Sequence, residues 1–200
     1  MPRPWLQPPR LQRSFSALLA AWLLASVLPS PAAERFSIDP AHTYSVFEYN
    51  HWGLSLQHGR FDRNSGFIEI DMEQQTGAVN IEIESASIDT GIGFFNKILR
   101  SGDFFDAAHY PVISFKSSRL QFDGTHLVRV DGDLTIKGIT KPASLDITYF
   151  DCRHMLSYGK RACSANGFSR MLRSDFDLGR HVPFVSDAVK LYVTVEAIKE

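Results

Sequence analysis

Cysteine is scarce: Cys152 and Cys163, eleven positions apart, are the only two in 200 residues. No Cys-x-x-Cys, Cys-x-x-Cys-His or His-x-x-x-His spacing surrounds them, so the common zinc and c-type haem patterns are missing. Absent too are a Gly-x-Ser-x-Gly elbow, a glycine-rich phosphate loop and a His-Glu-x-x-His helix. Carboxylates are scattered along polar strand faces, where solvation explains them, and no nucleophile sits beside a base. The chain reads as a binder with no catalytic residue, no metal and no cofactor. An excess of one charge is lacking as well: 21 Lys+Arg against 22 Asp+Glu give a formal −1. Without a basic stripe there is no footprint for a nucleic-acid partner, and little electrostatic pull toward anionic lipid surfaces.

One long apolar run exists. Residues 14–28 are uncharged, follow Arg3, Arg10 and Arg13, and end in Pro-Ser-Pro-Ala-Ala33. A positive start, an apolar middle and a small-residue exit make residues 1–33 a secretory signal peptide, too short for a comfortable membrane span of ~20 residues. Cleavage falls after Ala32 or Ala33, and residues 34–200 are expected in the periplasm or outside the cell. Two cysteines in an exported chain read as a disulfide closing a local loop, worth on the order of 3 kcal/mol. No linker, charge run or repeat divides residues 34–200, which therefore form one domain.

That domain is written in period two. Ser45, Phe47, Tyr49 and His51 alternate with Glu48 and Asn50; Val79, Ile81 and Ile83 alternate with Asn80, Glu82 and Glu84. Similar alternation covers residues 57–62, 67–72, 112–117, 127–136, 143–149, 168–172 and 189–197. These are antiparallel strands with one wet and one dry face, eight to nine in all. Only Gly93–Phe105 breaks the pattern in favour of a short helix, with Thr90 as its candidate N-cap. The class is all-β. A two-sheet sandwich and an eight-stranded barrel both fit; a membrane-spanning barrel fits less well, because the polar faces are rich in Asp, Glu and Lys. Arg100-Ser-Gly-Asp-Phe104 and Arg173-Ser-Asp-Phe176 each offer an Arg–Asp pair that pins a loop. His51, on an inward face, is either a barrel histidine bonded to its neighbours or a contact for a ligand headgroup.

An ordered series of strings carries a resemblance. Ile38-Asp-Pro-Ala-His42 leads into Phe47-Glu-Tyr-Asn-His-Trp-Gly53. Then come Gly59-Arg-Phe61, Ser87-Ile-Asp-Thr90, Leu99-Arg-Ser-Gly-Asp-Phe-Phe-Asp106, Tyr110-Pro111 and Gly132-Asp-Leu-Thr-Ile-Lys-Gly138. Val185-Ser-Asp-Ala-Val-Lys-Leu191 closes the series. Over residues 36–198 the chain resembles the YceI-like, polyisoprenoid-binding family of exported bacterial proteins. The resemblance implies a lipocalin-like antiparallel barrel holding a long-chain isoprenoid lipid, polyprenyl phosphate or isoprenoid quinone. It departs from the family pattern at Gly91–Ile98, where Asn96 and Ile98 replace residues that are often acidic and His. On this reading Phe47, Tyr49, His51, Ile81, Ile83, Phe115, Leu134 and Phe168 form the wall. Phe94, Phe95, Leu99 and Phe104 form a lid or mouth. The rival readings are an envelope structural or stress module with a filled core, and an accessory to a membrane b-type cytochrome. Transient contact with inner-membrane proteins is compatible with either, and the oligomeric state, a dimer included, stays open.

Overall fold

The structure, a computed structural model, describes Met1 and residues 33–200. The expected signal peptide thus lies outside the described residues, apart from its two ends. Eleven strands follow: β1 (Glu34–Ile38), β2 (Tyr44–His51), β3 (Ser55–Phe61), β4 (Asn64–Asp71), β5 (Thr76–Glu84), β6 (Ile88–Asp89), β7 (Val112–Asp123), β8 (His126–Ile136), β9 (Ile139–Met155), β10 (Lys160–Leu172) and β11 (Val185–Lys199), with one α-helix, α1 (Gly93–Arg100), between β6 and β7.

Every ladder is antiparallel, and the sheet returns on itself. Neighbours run β1-β4-β5-β7-β8-β9-β10-β11, and β11 pairs again with β1 through Phe36↔Lys199 and Ile38↔Ala197. The other end of β11 pairs with β2, which pairs with β3, which pairs with β6. Two strand positions are therefore broken in the middle, β1 continuing into β2 and β3 into β4, and a third breaks between β5 and β6. Eleven segments occupy eight positions of a closed eight-stranded barrel. A ladder that closes on itself has no second sheet to press against, which removes the sandwich alternative.

Buried Asn64 ties the breaks together. Its Nδ2 donates to the carbonyls of Thr43 (3.3 Å) and Phe61 (3.0 Å), and its Oδ1 accepts from Ser45 Oγ (2.9 Å). Three bulges, at Ser117/Arg119, Gln121/Phe122 and Asn166/Gly167, interrupt the register of β7–β8 and β9–β10. Each lets a long strand bend round the barrel and advances the inward-facing set by one residue.

Strand directions define two ends. At one end lie the start of β1, the end of β11 and the β9–β10 turn. There Phe36 and Ala197, both 0% exposed, pack with Ile38, Ile70 and Cys163 into a floor. Ion pairs cover its outside: Arg35 with Glu69 and Glu200, and Glu34 with Arg161 and Lys199. The disulfide Cys152–Cys163 forms here. It joins directly opposed residues of the β9–β10 ladder, so the local loop that it closes is the β9–β10 hairpin. At the other end stand the β2–β3 turn, α1 with residues 101–111, and residues 173–184.

Helix α1 is shorter than Gly93–Phe105. Its N-cap is Ile92, without a side-chain cap bond. Thr90 is not the cap: its N–H and hydroxyl both donate to Asn96 Oδ1, at 2.8 and 2.7 Å.

Candidate functional site: an apolar bore

Inside the barrel runs a cavity of about 560 Å³, within the ~300–1,000 Å³ typical of small-molecule sites. Most strands of the ring contribute. From β2 come Phe47 and Tyr49, from β4 Ile68 and Ile70, and from β5 Val79, Ile81 and Ile83; Phe115 of β7, Leu134 of β8 and Val193 of β11 complete the circuit. On β9 the inward residues run Ala143, Leu145, Ile147 and then Phe150, the step of three marking the bulge. On β10 they are small: Ser164, Ala165 and Ser169, with Cys163 below and Met171 above. Small side chains on that wall leave space that bulky ones elsewhere would otherwise fill.

Gly59 shows how the wall is fitted. It stands opposite Phe47 in the β2–β3 ladder, and a Cβ at that position would land on the Phe47 ring. The glycine lets the ring lie flat over its own backbone, where it meets Tyr49 (6.2 Å) and Phe61 (5.9 Å).

The mouth is built from loops. Phe95 and Leu99 of α1 and Phe104 and Phe105 after it face the bore from one side; Leu178, Arg180, His181 and Phe184 face it from the other. An Arg180–Asp103 ion pair joins the two sides, and Phe104 lies 6.4 Å from His181, ring to ring. Arg173 organises the second side. Its guanidinium donates to the carbonyls of Leu178 (2.6 Å), Arg180 (3.2 Å), Val185 (3.0 Å) and Ser186 (2.8 Å). Burial lowers its pKa from the ordinary arginine value, against the opposing pull of Asp187. The same burial raises the Tyr49 phenol, and the nearby Arg173 charge offsets part of the rise. The result is a cation fixed beside the opening of an otherwise apolar tube.

Ten of the twelve expected site residues line this bore: Phe47, Tyr49, His51, Ile81, Ile83, Phe95, Leu99, Phe104, Phe115 and Leu134. Phe94 and Phe168 do not. Phe94 is 75% exposed on the outer side of α1, because Phe95 and Leu99, four apart on the helix, take the inward face. Phe168 points outward from β10, with Lys190 Nζ 4.8 Å and the Arg170 guanidinium 5.6 Å from its ring. Two cations hold the phenylalanine outside while Ser169 and Met171 turn in. His51 is at the exposed end of β2, 6.4 Å from Trp52. The two Arg-Ser motifs pin loops, though by other partners than an internal aspartate: Arg100 donates to the Ile88 carbonyl (2.8 Å), and Asp187 accepts from Ser174. Sequence reading missed Trp52, Phe105, Arg180, His181 and Phe184, all in turns, where no periodicity points a side chain.

Among the described residues, one group brings metal-ligating atoms within 4.8 Å of one another: Asp39, His42 and Glu196. It lies where β1 breaks into β2, and His42 Nδ1 is already 2.8 Å from Asp39 Oδ2. That bond is the first cause of the raised His42 pKa and the lowered Asp39 pKa. The three groups brace the break against β11, where Asp39 N–H donates to the Glu196 carbonyl.

Residues 36–197 match the model of the YceI-like domain. Protein YceI of Escherichia coli O157:H7 is 31% identical over 193 residues, covering 95% of this chain and all of the relative. A UPF0312 protein of Vibrio parahaemolyticus matches at the same identity and coverage. Among solved structures, BcnA of Burkholderia cenocepacia superposes with a TM-score of 0.67 at 24% identity, over 80% of this chain and 99% of that one. A domain from Saccharophagus degradans, described as polyisoprenoid binding and implicated in plant cell wall breakdown, superposes at 0.63 and 18% identity, over 82% and 98%. With its eight-position barrel, its helix beside the mouth and a family match over most of its length, this chain belongs to the YceI-like family.

Proposed function

We propose that the protein is an exported carrier that holds a long-chain amphiphile, an isoprenoid lipid or isoprenoid quinone, with its chain in the bore and its headgroup at the mouth. The bore carries this reading. A continuous bore of about 560 Å³ lined almost wholly by apolar side chains is far larger than the water-sized voids of a packed core and is opposed to a filled structural module. An apolar chain seated there leaves water at about 0.8 kcal/mol per methylene. The mouth suits a polar end: Arg173, Arg180, His181 and His51 gather there while the floor is closed by Phe36 and Ala197. The Saccharophagus domain is described as polyisoprenoid binding, which favours the isoprenoid class. The leader-like residues 1–33 and the disulfide favour an oxidising compartment, and the bore's polar groups present no assembled nucleophile and base.

The test is organic extraction of the purified protein followed by mass spectrometry, expecting a long-chain lipid near one per protein. Ala165→Phe fills the bore from its small-residue wall and is expected to lose that lipid while keeping a cooperative thermal transition. A folded wild type without extractable amphiphile, or an Ala165→Phe variant that keeps it, rules the carrier out.

A further inference from the structure

We propose that the rim around the mouth is a membrane-docking surface, which sets the β2–β3 turn and its aromatic neighbours into the interfacial layer of a phospholipid bilayer so that the bore opens onto it. This rests on the carrier reading for its purpose, though not for its evidence. Trp52-Gly-Leu-Ser-Leu56 is uncharged, and Trp52, Leu54 and Leu56 are 57, 86 and 58% exposed. Single apolar side chains at a surface are ordinary, but a contiguous group of large ones marks an interaction site. Trp52 stacks on Phe184, itself exposed, at 4.6 Å, so the group spans two loops. Ile92 and Phe94, at the start of α1, expose a third set on the same end of the barrel. Trp52 also has a φ of 57°, in a turn region where glycine or asparagine is usual. A strained position given to an exposed indole points to use of that indole.

Continuity and charge select the occupant. Trp52 and Phe184 line the bore as well as the rim, so one apolar surface runs from the outside into the tube. Most cations beside it face an acid, Arg180 with Asp103, Lys137 with Asp177 and Arg173 with Asp187, which leaves the rim only a weak field for a charged protein. The floor end, by contrast, is covered by ion pairs. The open end exposes Trp52, Leu54, Leu56, Ile92, Phe94 and Phe184, against Leu156 and Tyr158 in the β9–β10 turn at the closed end, so the open end is the one matched by a bilayer. Tryptophan and leucine favour its interfacial zone, and anionic headgroups are not needed.

Residues 33–200 hold every strand and both core clusters among the described residues, and in that segment Trp52 is the only tryptophan. Its fluorescence is therefore a direct reporter. Mixed with phosphatidylcholine vesicles, the protein is expected to float with them, and brominated acyl chains to quench Trp52. Leu54→Asp is expected to weaken vesicle binding at least tenfold while retaining its lipid and its melting temperature; Leu56→Asp is an independent second substitution. Failure of the wild type to float with phosphatidylcholine or mixed phosphatidylcholine–phosphatidylglycerol vesicles overturns the proposal. So does a rim-to-rim dimer, seen by sedimentation without vesicles and dissolved by Leu54→Asp. Lipid extraction on the same samples separates the two ideas: flotation without bound lipid sinks the carrier alone, and bound lipid without flotation sinks the docking alone.

Discussion

Asn64 bears more of the architecture than its size suggests. It is 3% exposed and satisfies two carbonyls, of Thr43 and Phe61, at the points where strand pairing lapses. A buried carbonyl left without a partner costs about 1–3 kcal/mol. Asn64→Leu keeps the volume and orphans both, so a loss of at least 2 kcal/mol is expected, read as a lower urea midpoint with an unchanged slope. No change in midpoint would mean that the breaks hold without it. Single residues were also where the sequence was hardest to interpret. Phe168 looks like a wall residue because phenylalanine is greasy, yet its neighbours Ser169 and Met171 face the bore. Hydrophobicity ranks side chains by burial, and a tube that needs room on one wall inverts the ranking.

At the scale of elements, the middle of the sheet is held by a polar stitch on its outer face. Asp131 of β8 accepts from Gln121 Nε2 of β7 (2.6 Å), Arg129 Nε (2.8 Å) and Ser144 Oγ of β9 (2.6 Å). Its pKa is lowered from 3.8 to about 2, first by Ser144 and then by Arg129 and Gln121. A carboxylate whose folded pKa is depressed stabilises above its unfolded value and loses that contribution as pH falls through the folded one. Wild type and Asp131→Asn are therefore expected to differ most in melting temperature above about pH 4, with the gap closing toward pH 2. A gap constant across that window would remove Asp131 as its source. Alternation found β2, β5 and β8 and the all-β class, while closure into a barrel came from the family resemblance and not from the period. It missed β1, whose Glu-Arg-Phe-Ser-Ile is too short to show a period. It also missed the first half of β10, where Lys-Arg-Ala-Cys-Ser-Ala offers small residues in place of greasy ones. Bulges account for the rest, since each shifts the phase by one and no local signal announces it.

For the molecule as a whole, stability is distributed unevenly along the barrel axis. The floor has the disulfide and several ion pairs, whereas the two sides of the mouth are loops that meet through one exposed ion pair and one ring contact. Exposed pairs contribute at most about 1 kcal/mol, which suits an opening that would admit the proposed amphiphile. Replacing both cysteines with alanine is expected to lower stability by about 1–3 kcal/mol, less than loop entropy alone gives because β9 and β10 already pair, and to leave the extracted lipid unchanged. Calorimetry with and without the substitutions checks the first part and mass spectrometry the second. A loss of lipid would mean that the floor governs the mouth.

The double pairing of β11 also sets a timetable. Glu34 meets Lys199 across 165 positions of chain, so the ring has no seam to close until Val185–Lys199 is present. Before that, the unpaired sides of β1, β2 and β10 are raw edges that invite pairing with other chains, and joining such distant segments is slow. Local hairpins can pair earlier, but the barrel of such a polypeptide locks only in a single late event, when its last strand arrives to meet its first.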